Sequence, residues 1–207
     1  MKTRMLATTI LLVLFAASQA QAYAESPTQV LKRTHRRINQ LLARTVKAGT
    51  PAEKTLKDQI KKQINTFLDF TELARRALAR HWEARTEAER KEFVSILQDL
   101  IERSYTKQLR SNLAYKLEYG KESQEGDTAS VVTTVKVVKN KRTTAIVIEY
   151  KMRKAGGGWM VYDVVTDDVS IVRNYRSQFN RIIRRESYEA LVKKMRDKLQ
   201  ETSQSGG

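Results

Sequence analysis

The 207-residue sequence carries 39 lysines and arginines against 23 carboxylates, a formal net charge of +16, and no cysteine. Its length suits one domain with a sizeable core. Lack of cysteine removes disulfide frameworks, thiol nucleophiles and lipid attachment through a thiol, while the positive balance points to a polyanionic partner.

Lys2 and Arg4 precede an apolar stretch from Met5 to Ala17, and Ala20-Gln21-Ala22 follows it. This is the layout of a cleavable secretory signal, too short for the ~20 residues of a membrane anchor. Residues 1–22 are therefore expected to be a signal peptide and Tyr23 the mature start, with a cut after Ala20 as a near alternative. Export implies a periplasmic location and makes nucleic acid the least expected polyanion. Removing Lys2 and Arg4 lowers the formal charge from +16 to +14. Anionic lipid headgroups and acidic protein surfaces remain as partners, although many of the cations simply belong to solvated helix faces.

Ser26-Pro27-Thr28-Gln29 supplies a cap, a first-turn proline and a glutamine three residues on, opening a helix with Val30, Leu31, Ile38, Leu41 and Leu42 apolar. Thr50-Pro51-Ala52-Glu53 repeats this logic for a second helix to about Thr66. After "LDFTELARRALARHW", Thr86-Glu87-Ala88-Glu89 opens a long helix with Phe93, Leu97, Leu100, Ile101, Tyr105 and Leu109 at spacings of three and four. Beyond about Leu113 the period changes to two. "YKLEYG", "TASVVTTVKVV", "TTAIVIEYKMR" and "GWMVYDVVT" are β-branched and aromatic, separated by the turn segments "GKESQEGD", "KNKR" and "KAGGG". In the third, Thr144, Ile146, Ile148, Tyr150 and Met152 share a face. Short turns predict a four-stranded antiparallel meander. Helices at Ser170–Arg185 and Ser187–Gln200 close the chain, before a polar tail, "ETSQSGG", expected to be disordered. Residues 23–200 thus form a single α+β domain, 201–207 its tail.

Catalytic constellations are weak. His35, in "RTHRRI", reads as part of a polar helix face, and His81 adjoins Trp82; a structural role suits each better than general-base work. No serine sits in a G-x-S-x-G elbow. Gly156-Gly157-Gly158 lacks the lysine of a phosphate loop and leads into a strand, so it reads as a hairpin turn. Asp163, Asp167 and Asp168 lack the spacing of a calcium loop, and the last two suit the N-terminus of the helix capped by Ser170. No catalytic residue, metal site or cofactor is expected. Trp159, Tyr162, Tyr175 and Phe179, crowded where the last strand meets that helix, suit either a filled core or the lining of a cavity.

The segments "FLDFTELARRALARHWEARTEAERKEFVSILQDLIERSY" and "IEYKMRKAGGGWMVYDVVTDDVSIVRNYRSQF" resemble the MlaC family, also known as the toluene-tolerance or ABC-transporter auxiliary family. The most specific matches are Asp69-Phe70, Leu73-Ala74, Ala77-Leu78, His81-Trp82, Trp159, Tyr162-Asp163-Val164, Val169-Ser170, Asn174-Tyr175-Arg176 and Phe179. Ala79 and Asp168 depart from it, standing where members usually carry glycine. The resemblance implies an α+β fold with a curved antiparallel four-stranded meander, wrapped by about six or seven helices around an apolar lipid cavity. It implies a periplasmic carrier of diacyl phospholipid serving outer-membrane lipid asymmetry. Its partners would be an outer-membrane lipoprotein complex and the MCE-type substrate-binding ring of an inner-membrane ABC transporter. Residues expected to line the cavity are Leu97, Ile101, Tyr105 and Leu109, the strand positions Ile146, Ile148, Tyr150, Trp159, Val161 and Val165, and the corner positions Val169, Val172, Tyr175 and Phe179. Val169 is expected in the pocket rather than at the surface. Arg173 and Arg176 are expected to serve headgroup or partner docking. A lipid-modifying hydrolase and an interaction module with a filled core are the alternatives.

Overall fold

In the computed structural model, six α-helices accompany one antiparallel sheet; residues 25–47, 49–109, 115–139 and 142–204 are described, with side chains at all but 104–109, 115–116, 137–139, 142–143 and 202–204. The order is α1 (Pro27–Leu42), α2 (Pro51–Phe67), α3 (Phe70–Leu78), α4 (Glu87–Leu109), β1 (Tyr115–Glu125), β2 (Thr128–Lys139), β3 (Arg142–Ala155), β4 (Gly158–Thr166), β5 (Val169–Ser170), α5 (Ile171–Arg185) and α6 (Tyr188–Gln204). The sheet order is β1-β2-β3-β4-β5, the meander expected from the short turns plus one two-residue strand. Among the described residues no helix is long and apolar enough to cross a membrane.

Caps define the helix starts. Ser26 Oγ accepts from the Gln29 amide while the Ser26 amide donates to Gln29 Oε1, a complete capping box. Thr86 and Glu89 form the same reciprocal pair at α4. At α2 the box is only half made: Thr50 accepts from the Glu53 amide, but the Glu53 carboxylate turns to the Gly49 amide. At α5, Ser170 Oγ accepts from the Arg173 amide. The carboxylate serving this N-terminus is Asp163, which accepts from Ser170 Oγ at 2.7 Å and the Val172 amide at 3.0 Å. The expectation for Asp167 and Asp168 is thereby corrected.

Those two aspartates instead form the β4–β5 turn, with φ of 45° and 64°. A tight turn that follows the strand twist needs two consecutive residues at positive φ. Gly156-Gly157 meets the same need in the β3–β4 hairpin with φ of 58° and 81°. Ala79 also sits at positive φ, 49°, where α3 ends and a short 3-10 turn begins. Both positions at which the family usually has glycine therefore have a backbone that favours glycine. The tail expectation is corrected too: α6 runs on to Gln204, and residues 205–207 lie outside the described residues.

Two apolar clusters result. The helical cluster gathers Leu56, Ile60 and Ile64 of α2, Phe70, Leu73 and Leu78 of α3, Phe93, Leu97 and Ile101 of α4, Val172 and Phe179 of α5, and Leu191, Val192 and Met195 of α6. The sheet cluster packs Val30 and Leu31 of α1 and Phe67 of α2 on Ala129, Val131, Met152, Trp159 and Val161. Leu68 packs against both and bridges to Val161 of β4. Beside it, Asp69 caps α3 by accepting from the Glu72 amide and holds Arg153 of β3 at 2.7 Å, tying the helices to the sheet.

Candidate functional site: the apolar face of the sheet

Residues directly opposite in antiparallel strands share a face, so the register sorts the sheet into transverse rows. Ala129, Met152 and Val161 form one row, and Val131, Tyr150 and Val164 the next. Then come Tyr119, Thr133, Ile148, Thr166 and Val169, followed by Leu117, Val135 and Ile146. All four rows lie on the face that α1 and Phe67 cover.

Coverage changes along this face. Ala129, Val131, Met152 and Val161 are buried beneath Val30, Leu31 and Phe67. An aromatic layer follows, in which the His35 ring lies 5.5 Å from that of Tyr150 and 6.4 Å from that of Phe67. His35 Nδ1 and Tyr119 Oη are hydrogen-bonded at 2.9 Å. Burial pushes the His35 imidazole down to about 4, so the ring is neutral at neutral pH. Beyond that layer Leu117, Val135, Ile146 and Ile148 are only half-buried and belong to neither cluster. Thr133 is fully buried, its Oγ1 donating to the Ile148 carbonyl at 3.4 Å. On the helical side α1 continues past His35 with half-buried Ile38, Leu41 and Leu42. A half-covered apolar surface backed by an aromatic wall can take hydrocarbon, and the His35, Tyr119 and Thr133 polar groups beside it are already hydrogen-bonded.

The residues expected to line one cavity are divided by the structure. Leu97, Ile101, Val172 and Phe179 are buried in the helical cluster, with Tyr175 packed against it. There Phe179 meets the Phe93 ring edge-on at 5.5 Å and stacks on Tyr175 at 5.3 Å. These side chains fill a core and do not join the sheet face. Trp159, Val161 and Tyr150 pack in the sheet cluster, and Ile146 and Ile148 lie in the half-covered rows. Val165 is buried on the opposite face, because the bulge in β4 pairs it with Glu149 and Ser170. Val169 is 61% exposed, so its placement inside the pocket is corrected: it stands at the free edge of the row that runs through Thr166 and Ile148. Tyr105 and Leu109 lie on α4, but their side chains are outside the described residues.

Arg173 and Arg176 are exposed, yet each has a backbone partner: Arg173 donates to the Asp168 carbonyl at 2.9 Å and Arg176 to the Arg76 carbonyl at 2.9 Å. Sequence reasoning missed His35, Phe67, Leu117, Tyr119, Thr133 and Val135. A signal existed for His35, which falls four residues after Leu31 and three before Ile38, on the apolar stripe of α1 and not its polar face. Alternation in "TASVVTTVKVV" carries Val131, Thr133 and Val135 equally well.

The family model described as MlaC protein matches residues 32–197. The intermembrane phospholipid transport system binding protein MlaC of Haemophilus influenzae is 21% identical over 142 residues, covering 68% of this chain, and the match spans 66% of that relative's length. The solved structure of a phospholipid-binding protein from Ralstonia solanacearum, in complex with a phospholipid, superposes with a TM-score of 0.70 at 18% identity, over 84% of this chain and 97% of that one. That likeness shows the fold. With the family model matching most of its length, this chain belongs to the MlaC family.

Proposed function

We propose that this protein is a periplasmic phospholipid carrier that sheathes acyl chains against the half-covered rows of its sheet. The observation that carries the reading is the coverage gradient: Leu117, Val135, Ile146 and Ile148 are apolar and aligned, yet left half-buried, whereas Ala129, Val131, Met152 and Val161 at the other end of the face are buried. An interior normally closes to crystal-like density, so an open apolar row has a ligand to complete it. Each methylene kept from water is worth ~0.8 kcal/mol, so a lipid with about thirty chain methylenes faces on the order of 24 kcal/mol to cross water unaided. A carrier removes most of that barrier without a nucleophile or cofactor, and no enzymatic step is assigned.

Family membership and the phospholipid held by the Ralstonia solanacearum protein support the choice of ligand. The two ends of the route would be an outer-membrane lipoprotein complex and the MCE-type ring of an inner-membrane transporter, maintaining outer-membrane lipid asymmetry. The buried carboxylates are explained structurally, since Glu53, Asp69, Glu72, Glu102 and Asp163 each hold a cation or a backbone amide. Mass spectrometry of an organic extract of the purified mature protein tests the reading. Diacyl phospholipid is expected at near-equimolar amounts. Bare polypeptide from several expression hosts would overturn it.

A further inference from the structure

Two parts of the fold are strongly positive: α5, with five arginines and no carboxylate, and the α1–α2 hairpin. The α1–α2 hairpin, residues 26–67, carries ten lysines and arginines against two carboxylates, Glu53 and Asp58. Both carboxylates are engaged one helical turn away, Glu53 with Lys57 and Asp58 with Lys54. Lys61 reaches across to Glu102 of α4. Arg33 pairs with Glu25, and among the described residues six cations of the hairpin have no carboxylate partner: Lys32, Arg36 and Lys47, together with Arg37, Arg44 and Lys62.

Arg37, Arg44 and Lys62 line one groove between the two helices, with a volume of about 270 Å³. The rest of its lining is Gln40, Gln59 and Gln63, with Leu41 the one apolar contributor. Arg44 Nη1 donates to Gln59 Oε1 at 3.0 Å, so a neutral amide holds the guanidinium and its charge stays uncompensated. Cations that converge without a carboxylate repel one another, an arrangement that an anion relieves. Arginine forks and a lysine ammonium match phosphate oxygens, and amides serve neighbouring hydroxyl or amine groups. The volume falls below the ~300 Å³ at which drug-sized sites begin, so it suits a headgroup and not acyl chains.

We propose that the α1–α2 groove is a phosphate-binding site, distinct from the apolar face of the sheet, that takes a phosphate-bearing group of headgroup size. Arg37 and Lys62 supply the charge, Arg44 a fork fixed by Gln59, and the remaining glutamines contacts to the rest of the headgroup. The site goes beyond acyl-chain carriage and does not require it.

The test uses the full mature chain at low ionic strength. Binding to phosphatidylglycerol vesicles and, separately, to glycerol 1-phosphate is measured for wild type, Arg37→Gln/Lys62→Gln and a charge-matched control on α5, Arg181→Gln/Arg185→Gln. Loss of two cations from a site facing an anionic surface predicts about a thirtyfold weaker vesicle affinity for the groove pair. The control pair should change it less than about threefold. Gln63→Glu, which removes no cation, should weaken binding in the same direction. Affinity for vesicles alone identifies a membrane headgroup as the source, while groove-dependent affinity for glycerol 1-phosphate identifies a soluble phosphorylated ligand; both support the site. Equal losses for groove and α5 pairs, or no binding in either arm, would overturn it. Lipid content of the same samples reports separately on acyl-chain carriage.

Discussion

In the helical half, Phe93, Leu97 and Leu191 are exposed by 1% or less and the rings of Phe93, Tyr175, Phe179 and Tyr188 pack on one another; on the sheet, Ile146 and Ile148 stay half-buried on a face whose other end is buried. Both regions carry apolar side chains at regular spacings in the sequence. They differ in what faces them: α3, α4, α5 and α6 interlock around Phe93 and Phe179, whereas α1 covers the sheet fully only as far as the His35–Tyr119 layer. Stability thus resides chiefly in the helices, and the proposed acyl-chain site in the part of the sheet left open.

The largest contrast follows from truncation. Phe93→Ala removes a fully buried ring and should cost about 3–5 kcal/mol, read as a lowered denaturant midpoint. Ile148→Ala, at a half-covered position, should cost less than about 1 kcal/mol in lipid-free protein. Comparable losses at the two positions would erase the distinction between the halves.

Acid should unsettle the two regions in order. His35, on the sheet side, has a folded pKa of about 4 against 6.5 unfolded, so the unfolded chain takes the proton first. Stability is then complete above about pH 6.5 and falls toward pH 4, by at most about 3 kcal/mol. His35→Phe should flatten unfolding free energy across that window. Glu72, on the helical side, is held at about 2 by hydrogen bonding to Arg75 and then Arg76, so its contribution is present above 4.5 and lost only as pH falls toward 2. A pH profile unchanged by His35→Phe would contradict the buried neutral ring.

Backbone strain gives the smallest effects, one in each half. Ala79→Gly at φ 49° should stabilise by about 1 kcal/mol. Asp168→Gly at φ 64° should gain about half as much, since aspartate tolerates left-handed geometry better than alanine. Thermal melts with no gain at either site would show the neighbouring structure to have relaxed the strain already.

Much of this was legible in the sequence because it is local. Capping boxes at Ser26 and Thr86, the change of period near Leu113 and the Gly156-Gly157 turn each follow from residues within a few positions of one another. Division of the apolar residues between two clusters was not legible. Leu97, Val172 and Phe179 have the same spacing and character whether they fill a core or line a cavity. Only the crossing of α3, α4 and α5 decides. Val165 and Val169 were misplaced for different reasons: a bulge in β4 turns Val165 to the opposite face, and a sequence period of two carries no mark of that slip, whereas Val169 keeps the covered face but stands at its free edge on the two-residue strand β5.

The central claim, that acyl chains lie on the half-covered rows, is tested most directly by photo-crosslinking in lipid-loaded protein. Benzoyl-phenylalanine is placed singly at Ile146, Val147, Ile148 and Phe179. Residues 146 and 148 share the covered face, 147 points away at 49% exposure, and 179 lies in the helical cluster. Adducts of phospholipid mass are predicted at 146 and 148 and at neither of the others. Adducts at 179 with none at 146 and 148 would place the lipid among the helices and contradict the account.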